Sequence, residues 1–199
     1  MPLPHTFLLA YFIAYFLLAF VWRSLLVYRR TGINPFVLPA SADAYGYVGR
    51  AFKLVIVGCG AVVLGLALVP GAEVWLGPYM PLQQVSIAWI GWCLLVASLL
   101  WMLVAQAQMG ASWRIGIDAE RRTELVQRGL FSVSRNPIFL AMRVNLLGLF
   151  LVYPSAATLA ILVAGEILVQ VQVRLEEHHL QAMHANVYLD YCAKVRRWL

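Results

Sequence analysis

Charged and hydrogen-bonding residues are sparse in this chain, and they gather in two stretches, 110–137 and 174–199. The first holds Ser112-Trp113-Arg114, Gly129-Leu130-Phe131 and Arg135-Asn136-Pro137; the second holds Glu176-Glu177-His178-His179, Tyr188, Tyr191 and Arg197. A guanidinium such as that of Arg135 grips a carboxylate through paired hydrogen bonds. A carboxylate such as Glu176 or Glu177 holds an ammonium or faces a cationic sulfonium. Trp113, Phe139, Tyr188 and Tyr191 supply aromatic faces that stack on a purine or shield a cation. Together these groups suit a zwitterionic ligand with an aromatic part. No metal site is expected: His178 and His179 are adjacent and diverge by about 100° on a helix, and His184 completes an i, i+4 pair with neither. Cys59, Cys93 and Cys192 are widely scattered, which predicts unpaired thiols.

The elements that position these groups are membrane helices. The hydrophobic fraction is 62% and the charged fraction 12%, against roughly 45–50% and about 25% in soluble domains. A span needs about 20 apolar residues, and segments 6–27, 52–69 and 85–107 each meet that need. Two more crossings fit within 138–173, where Tyr153-Pro154-Ser155 interrupts the apolar run as a tight hairpin turn. Beyond it, Glu176, Leu180, Met183, Val187, Tyr191 and Val195 recur every three or four residues, the period of an amphipathic helix lying on the inner membrane face. The expected fold is therefore all-α: a polytopic membrane protein of about five transmembrane helices, with a C-terminal helical hairpin and an amphipathic tail helix. A single membrane domain over 1–199 is expected, with three N-terminal helices in 1–109 and the loop, hairpin and tail in 110–199.

Basic residues set the orientation, since cytoplasmic loops carry the excess of Lys and Arg. Arg23, Arg29, Arg30, Arg50 and Lys53 flank the first loop; Arg114, Arg121, Arg122, Arg128 and Arg135 occupy the third; Arg174, Lys194, Arg196 and Arg197 lie in the tail. The second loop, 70–84, carries Glu73 and no basic residue, and the hairpin turn has none. The N-terminus is predicted outside and the C-terminus in the cytoplasm. The first apolar run lacks a positive n-region and is followed by arginines, which predicts a retained helix rather than a cleaved signal. The net charge of +6 is placed to meet anionic headgroups, not nucleic acid.

Arg143 is the exception, a cation six positions into the fourth helix. Glu166 lies near the inner end of the fifth, and antiparallel packing brings the two to one depth. An intramembrane charge costs at least about 2.5–3.5 kcal/mol and is usually paired or functional. The expectation is an Arg143–Glu166 pair with Asn145 and Gln170 as polar neighbours, serving either as a hairpin clasp or in a substrate pocket where Arg143 orients an anionic acceptor.

The run Gly129-Leu130-Phe131-Ser132-Val133-Ser134-Arg135-Asn136-Pro137-Ile138-Phe139 resembles the G-x-(Y/F)-x-x-x-R-(H/N)-P-x-(Y/F) signature of the isoprenylcysteine carboxyl methyltransferase and phospholipid methyltransferase superfamily. Glu176-Glu177 followed by Leu180, and then Tyr188, Tyr191, Val195, Arg197 and Trp198, resemble that superfamily's E-E-x-x-L and Y-x-x-Y-x-x-x-V-x-R-(W/F) ending. The resemblance covers 110–199. It implies an enzyme that binds S-adenosylmethionine between the last hairpin and the cytoplasmic tail, with Arg135, Asn136 and Pro137 shaping the pocket with Phe139, Glu176 and Glu177 engaging the cofactor, and Tyr188 and Arg197 closing over it. Asn136 stands where many members have histidine, and Phe139 where tyrosine is frequent. The implied reaction is methyl transfer to a lipophilic acceptor, a small molecule or lipid bearing a carboxylate, thiol or amine, in a bacterial inner membrane. Two other layouts fit the helices: an NADPH-dependent membrane reductase like the sterol reductases, and a non-catalytic membrane subunit.

Overall fold

Hydrocarbon offers no partner to a peptide N–H or C=O, so an apolar chain of this composition must close its backbone hydrogen bonds within helices. The computed structural model describes residues 3–34, 43–113 and 124–199, and there the helices form as the apolar runs require. Helix α1 is His5–Thr31, α2 Ala44–Leu68, α3 Val85–Met109, α4 Pro137–Val152, α5 Ala156–His184 and α6 Asn186–Lys194. No strand occurs among the described residues. Four helices, α1, α2, α3 and α5, are long and apolar enough to cross a membrane, and α4 is a shorter apolar helix. Arg114, Arg121 and Arg122, which figure in the sequence argument, lie outside the described residues.

Helix boundaries follow local chemistry. Asp43 caps α2 by accepting the Gly46 N–H at 3.0 Å. Pro137 opens α4 at the first-turn position that suits its missing N–H. Ser155 and Thr158 form a capping box on α5. The remaining N–H groups at that end are taken up by the loop between α2 and α3: Ala156 N–H donates to the Gly77 carbonyl at 2.8 Å and Ala157 N–H to the Leu76 carbonyl at 3.1 Å. That loop is thereby fastened to the hairpin turn, at the end of the bundle without basic loops.

Helix α3 packs most extensively on α4, while α5 lies against both α2 and α4, and α1 against α2. Small residues set the α3–α4 distance. A Cβ on Gly91 would fall 2.6 Å from the Val152 nitrogen, and one on Gly148 3.0 Å from the Gly91 carbonyl oxygen, so the two backbones touch where lipid-embedded helices commonly meet through glycine. A core of Leu8, Val62, Val63, Leu66, Trp92, Leu95, Leu149 and Val152 fills the bundle towards the turn. A smaller cluster of Ala19, Met102 and Ala141 fills it towards the other end. The outward faces are apolar, with Leu54, Val57, Trp89, Ile90, Leu100, Val163 and Ile167 all exposed.

Two features differ from the sequence reading. The expected continuous tail helix breaks at Ala185, a non-glycine residue at φ 47°, so the amphipathic period runs through α5 to His184, restarts in α6 and stops at Val195, which is extended. The hairpin also has unequal arms, 16 residues in α4 and 29 in α5. At 1.5 Å per residue α4 is only about 24 Å long, short of a hydrocarbon core of about 30 Å. Its N-terminal end is therefore recessed beside the middle of α5.

Candidate functional site

The recess under α4 is where the polar residues meet. The chain enters it through a 3₁₀ turn at Gly129–Ser132, starting from Gly129 at φ 64°, a backbone region that favours glycine. Gln108 of α3 receives the Leu130 N–H at 2.7 Å, and Trp101 of α3 donates its indole N–H to the Pro137 carbonyl at 3.1 Å. Tyr191 of α6 donates its hydroxyl to the Phe131 carbonyl at 2.6 Å. Burial pushes the Tyr191 phenol up to about 12, so it remains a donor at any ordinary pH.

Glu177 is the hub of one half of this region. Arg197 grips it with Nε and Nη2 at 3.1 and 2.8 Å, Arg135 Nη2 lies 3.3 Å from its other oxygen, and the Asn136 amide donates to that oxygen at 3.1 Å. Those hydrogen bonds, and the charge of Glu177, hold the Arg197 guanidinium above its ordinary range. Backbone contacts fasten the tail alongside: Arg135 N–H donates to the Arg196 carbonyl at 2.9 Å, and Ser134 and Asn136 side chains both reach the Arg197 carbonyl at 3.3 Å. Tyr188 is buried behind this knot, its hydroxyl without a partner among the described residues, and burial followed by the Glu177 charge drives its phenol far above the usual range.

A cavity opens beside the knot. Its walls include Trp113 after α3, Phe131, Arg135, Asn136, Pro137 and Phe139 at the mouth of α4, Gln172, Glu176, His179 and Met183 of α5, and Tyr191 of α6. Of the ten residues singled out in the sequence, Arg135, Asn136, Pro137, Phe139 and Glu176 line this cavity, while Glu177, Tyr188 and Arg197 stand behind its wall. Arg135 pairs with Glu177 and not with Glu176, but both Arg135 and Glu176 border the same space. Glu176 has no hydrogen bond or ion pair among the described residues, and Arg135 Nε is buried without a partner.

Arg143 and Glu166 do form a pair, with Nε 2.7 Å from the carboxylate. Gln170 adds a hydrogen bond to Glu166 at 2.8 Å, and Arg174 in turn donates to the Gln170 side chain at 2.9 Å. The expected neighbour Asn145 is elsewhere: its Oδ1 accepts from Tyr11 at 2.5 Å and Ser98 at 3.3 Å, because two positions along α4 turn a side chain towards the opposite side. Trp198, which the sequence reading used only as part of a motif, covers the Arg143 guanidinium at 4.3 Å. Glu166, Gln170, Arg174 and Glu177 share one face of α5, about 120° round from the face of Gln172, Glu176 and Met183. The Arg143–Glu166 ladder and the cavity thus occupy different sides of one helix. Gln108 is a further site residue; its signal in the sequence is a pair of glutamines, Gln106 and Gln108, in the last turn of an apolar span.

A family model described as phospholipid methyltransferase matches residues 85–187, from the start of α3 to the start of α6. The matched segment is just over half of the chain and contains every residue named as lining the cavity except Tyr191. No curated protein and no solved structure matches the chain.

Proposed function

Since the chain belongs to the phospholipid methyltransferase family, we propose that this membrane methyltransferase uses S-adenosylmethionine at the cytoplasmic membrane face to methylate a lipophilic acceptor. The observation that carries the cofactor reading is that an acidic and a basic side chain line the same cavity: Glu176, without a hydrogen bond or ion pair among the described residues, and Arg135, whose buried Nε has no partner among them. A zwitterion with a cationic centre is the ligand whose charges such a wall complements. The family match favours methyl transfer over the reductase layout.

The donor set fits the cofactor. With Nη2 on Glu177 and Nη1 donating to the Cys192 carbonyl at 3.4 Å, Arg135 keeps Nε for a ligand carboxylate, and Glu176 is positioned to receive an ammonium or sulfonium charge. Trp113, Phe131, Phe139 and Tyr191 give aromatic walls for a purine and for the apolar flank of a cation. Glu177, Asn136 and Arg197 tie the tail to the hairpin and keep Arg135 oriented; Tyr188 packs behind them and excludes water. When bound, S-adenosylmethionine supplies a methyl group already activated on sulfur. The protein's work is then alignment, worth as much as about 7–11 kcal/mol in favourable cases. No general base is needed for a carboxylate or thiolate acceptor, whereas an amine must arrive unprotonated.

Orientation belongs to the same proposal. With the basic loops inside, the cavity faces the cytoplasm, where a soluble cofactor enters, and the acceptor's tail stays among the helices. The Arg143–Glu166 pair lies on another side of α5 from the cavity and is covered by Trp198, so of its two expected roles the hairpin clasp is the one proposed. Calorimetric titration of the detergent-purified chain with S-adenosylhomocysteine tests the cofactor assignment. Wild type is expected to bind, and Glu176→Ala and Arg135→Ala to weaken binding by tenfold or more, on the order of 1.4 kcal/mol or above. No binding by wild type, or unchanged binding by both variants, defeats it.

A further inference from the structure

The inner end of α3 is a junction between the first helix and the cavity. Arg23 of α1 donates from Nη2 to the Gly110 carbonyl at 2.8 Å, and its guanidinium lies over the Trp113 ring, 5.9 Å from the centroid. One turn earlier, Gln106 Nε2 donates to the Ala19 carbonyl of α1 at 2.9 Å. Gly110, where α3 ends, sits at φ 55°, and Trp113 is buried in the cavity wall.

Arg23 is an odd choice for a merely structural contact. It is 8% exposed, and no acidic group pairs with it among the described residues. A buried guanidinium without a counter-ion is costly unless its plane and donors are used; here one nitrogen meets a carbonyl and the plane meets an indole, while the buried Nε has no partner among the described residues. The local backbone serves this placement. Residues Leu17–Trp22 form a π-helical stretch immediately before Arg23. The wider turns shift the phase of everything that follows, and Arg23, Ser24 and Val27 then face inward.

We propose that Arg23 is a positioning residue for the methyl-transfer site, which from the first helix fixes Trp113 in the wall of the cavity. The proposal rests on the cofactor reading for what Trp113 touches, but the brace itself is independent of it. It also lies outside the matched segment 85–187, so it is a feature of how this chain's own first helix is joined to the family's core. A guanidinium clamped between carbonyl and indole holds that wall in place before any ligand arrives, which lowers the ordering cost of binding.

The test uses the full-length chain in detergent with two readouts. Hydrogen exchange at the backbone amides of 110–113 reports the brace, and calorimetric titration with S-adenosylhomocysteine reports its consequence. Arg23→Met, which keeps side-chain length but removes the cation and the donors, is expected to speed exchange there about tenfold and to weaken binding about tenfold. Trp113→Ala should weaken binding by a similar factor, and the double variant no further than Trp113→Ala alone. Should Arg23→Met fail to fold, Arg23→Lys keeps the charge and an ammonium donor but loses the planar guanidinium, and should show the same pattern at reduced size. Wild-type exchange and affinity in the Arg23 variant, with only the melting temperature lowered, overturn the proposal, as do losses that multiply in the double variant. If wild type binds no S-adenosylhomocysteine, the cofactor reading falls. The exchange arm then decides the brace alone: faster exchange supports it and unchanged exchange overturns it.

Discussion

Asn136 shows how a single amide can stand where a ring is more usual. Its two N–H bonds are directed at the Glu177 carboxylate and the Arg197 carbonyl, so one side chain joins the hairpin to the tail without carrying charge. A neutral imidazole has one N–H and would serve one of these acceptors. Asn136→Asp keeps the shape and inverts the chemistry, placing a second carboxylate about where the first is now hydrogen-bonded. We expect a loss of about 2–3 kcal/mol in unfolding free energy, read by thermal or denaturant melts in detergent. The deficit should shrink as pH falls, because protonating either carboxyl removes the repulsion. Tyr191 makes a prediction of the opposite sign. Its phenol is raised from an ordinary 10 to about 12, so its contribution to stability is complete below pH 10 and is lost as pH rises through about 12. The phenolate titration of wild type minus that of Tyr191→Phe should show a single step near pH 12. At Arg143, removal of the cation leaves Glu166 facing the indole of Trp198, and a loss of about 1–2 kcal/mol is expected. Exchanging the two charges should restore most of it, and failure to do so in a melting experiment would show that the pair does not stabilise the hairpin.

Among the elements, the contact between α3 and α4 is the most demanding. Gly91→Ala drives a methyl group into the Val152 backbone nitrogen at 2.6 Å, where nothing can rotate away. Overpacking of that kind costs about 1–3 kcal/mol, and because α4 carries Arg135–Phe139 at its mouth, ligand affinity should fall together with stability. Gly58→Ala is the control: its new methyl would sit 3.8 Å from the flexible Ile161 side chain, and melting and binding should both stay close to wild type. The pattern of elements was largely legible before any coordinates. Apolar runs of spanning length marked α1, α2 and α3, and Tyr153-Pro154-Ser155 marked the turn to within a residue, because helix length and proline are local properties. The Arg143–Glu166 pair was readable too, since antiparallel arms joined by a tight turn fix which positions share a depth. Other features had no local signature. The stop at Ala185 and the π-helical phase shift before Arg23 come from packing, not from propensity. Glu176 and Glu177 are adjacent in sequence, yet one faces the cavity and the other the arginines, a division set by the helix phase of α5 against its neighbours.

Across the whole molecule, the two ends of the bundle are chemically different, and the difference has a testable consequence. At one end the α2–α3 loop and the hairpin turn are laced together by main-chain hydrogen bonds, with Glu73 as the nearby charge and Trp75 standing 89% exposed. At the other lie the arginine-rich segments, the cavity and the tail. Insertion favours retaining Lys and Arg on the cytoplasmic side, so the proposed orientation sends Trp75 outside and α6 inside. In a background with Cys59, Cys93 and Cys192 replaced by serine or alanine, Trp75→Cys should react with a membrane-impermeant thiol reagent on intact cells. Asp190→Cys, at an exposed position of α6, should react only after the membrane is opened. Reversal of that pattern would place the cavity on the far side from the cytoplasmic cofactor pool, and the proposed reaction would lose its methyl donor even if every contact around Glu177 were correct. The tail sharpens the argument. Residues 195–198 reach the hairpin only from the side on which α5 emerges, so the labelling of one α6 position reports the side of Arg135, Glu176 and the whole cavity wall at once.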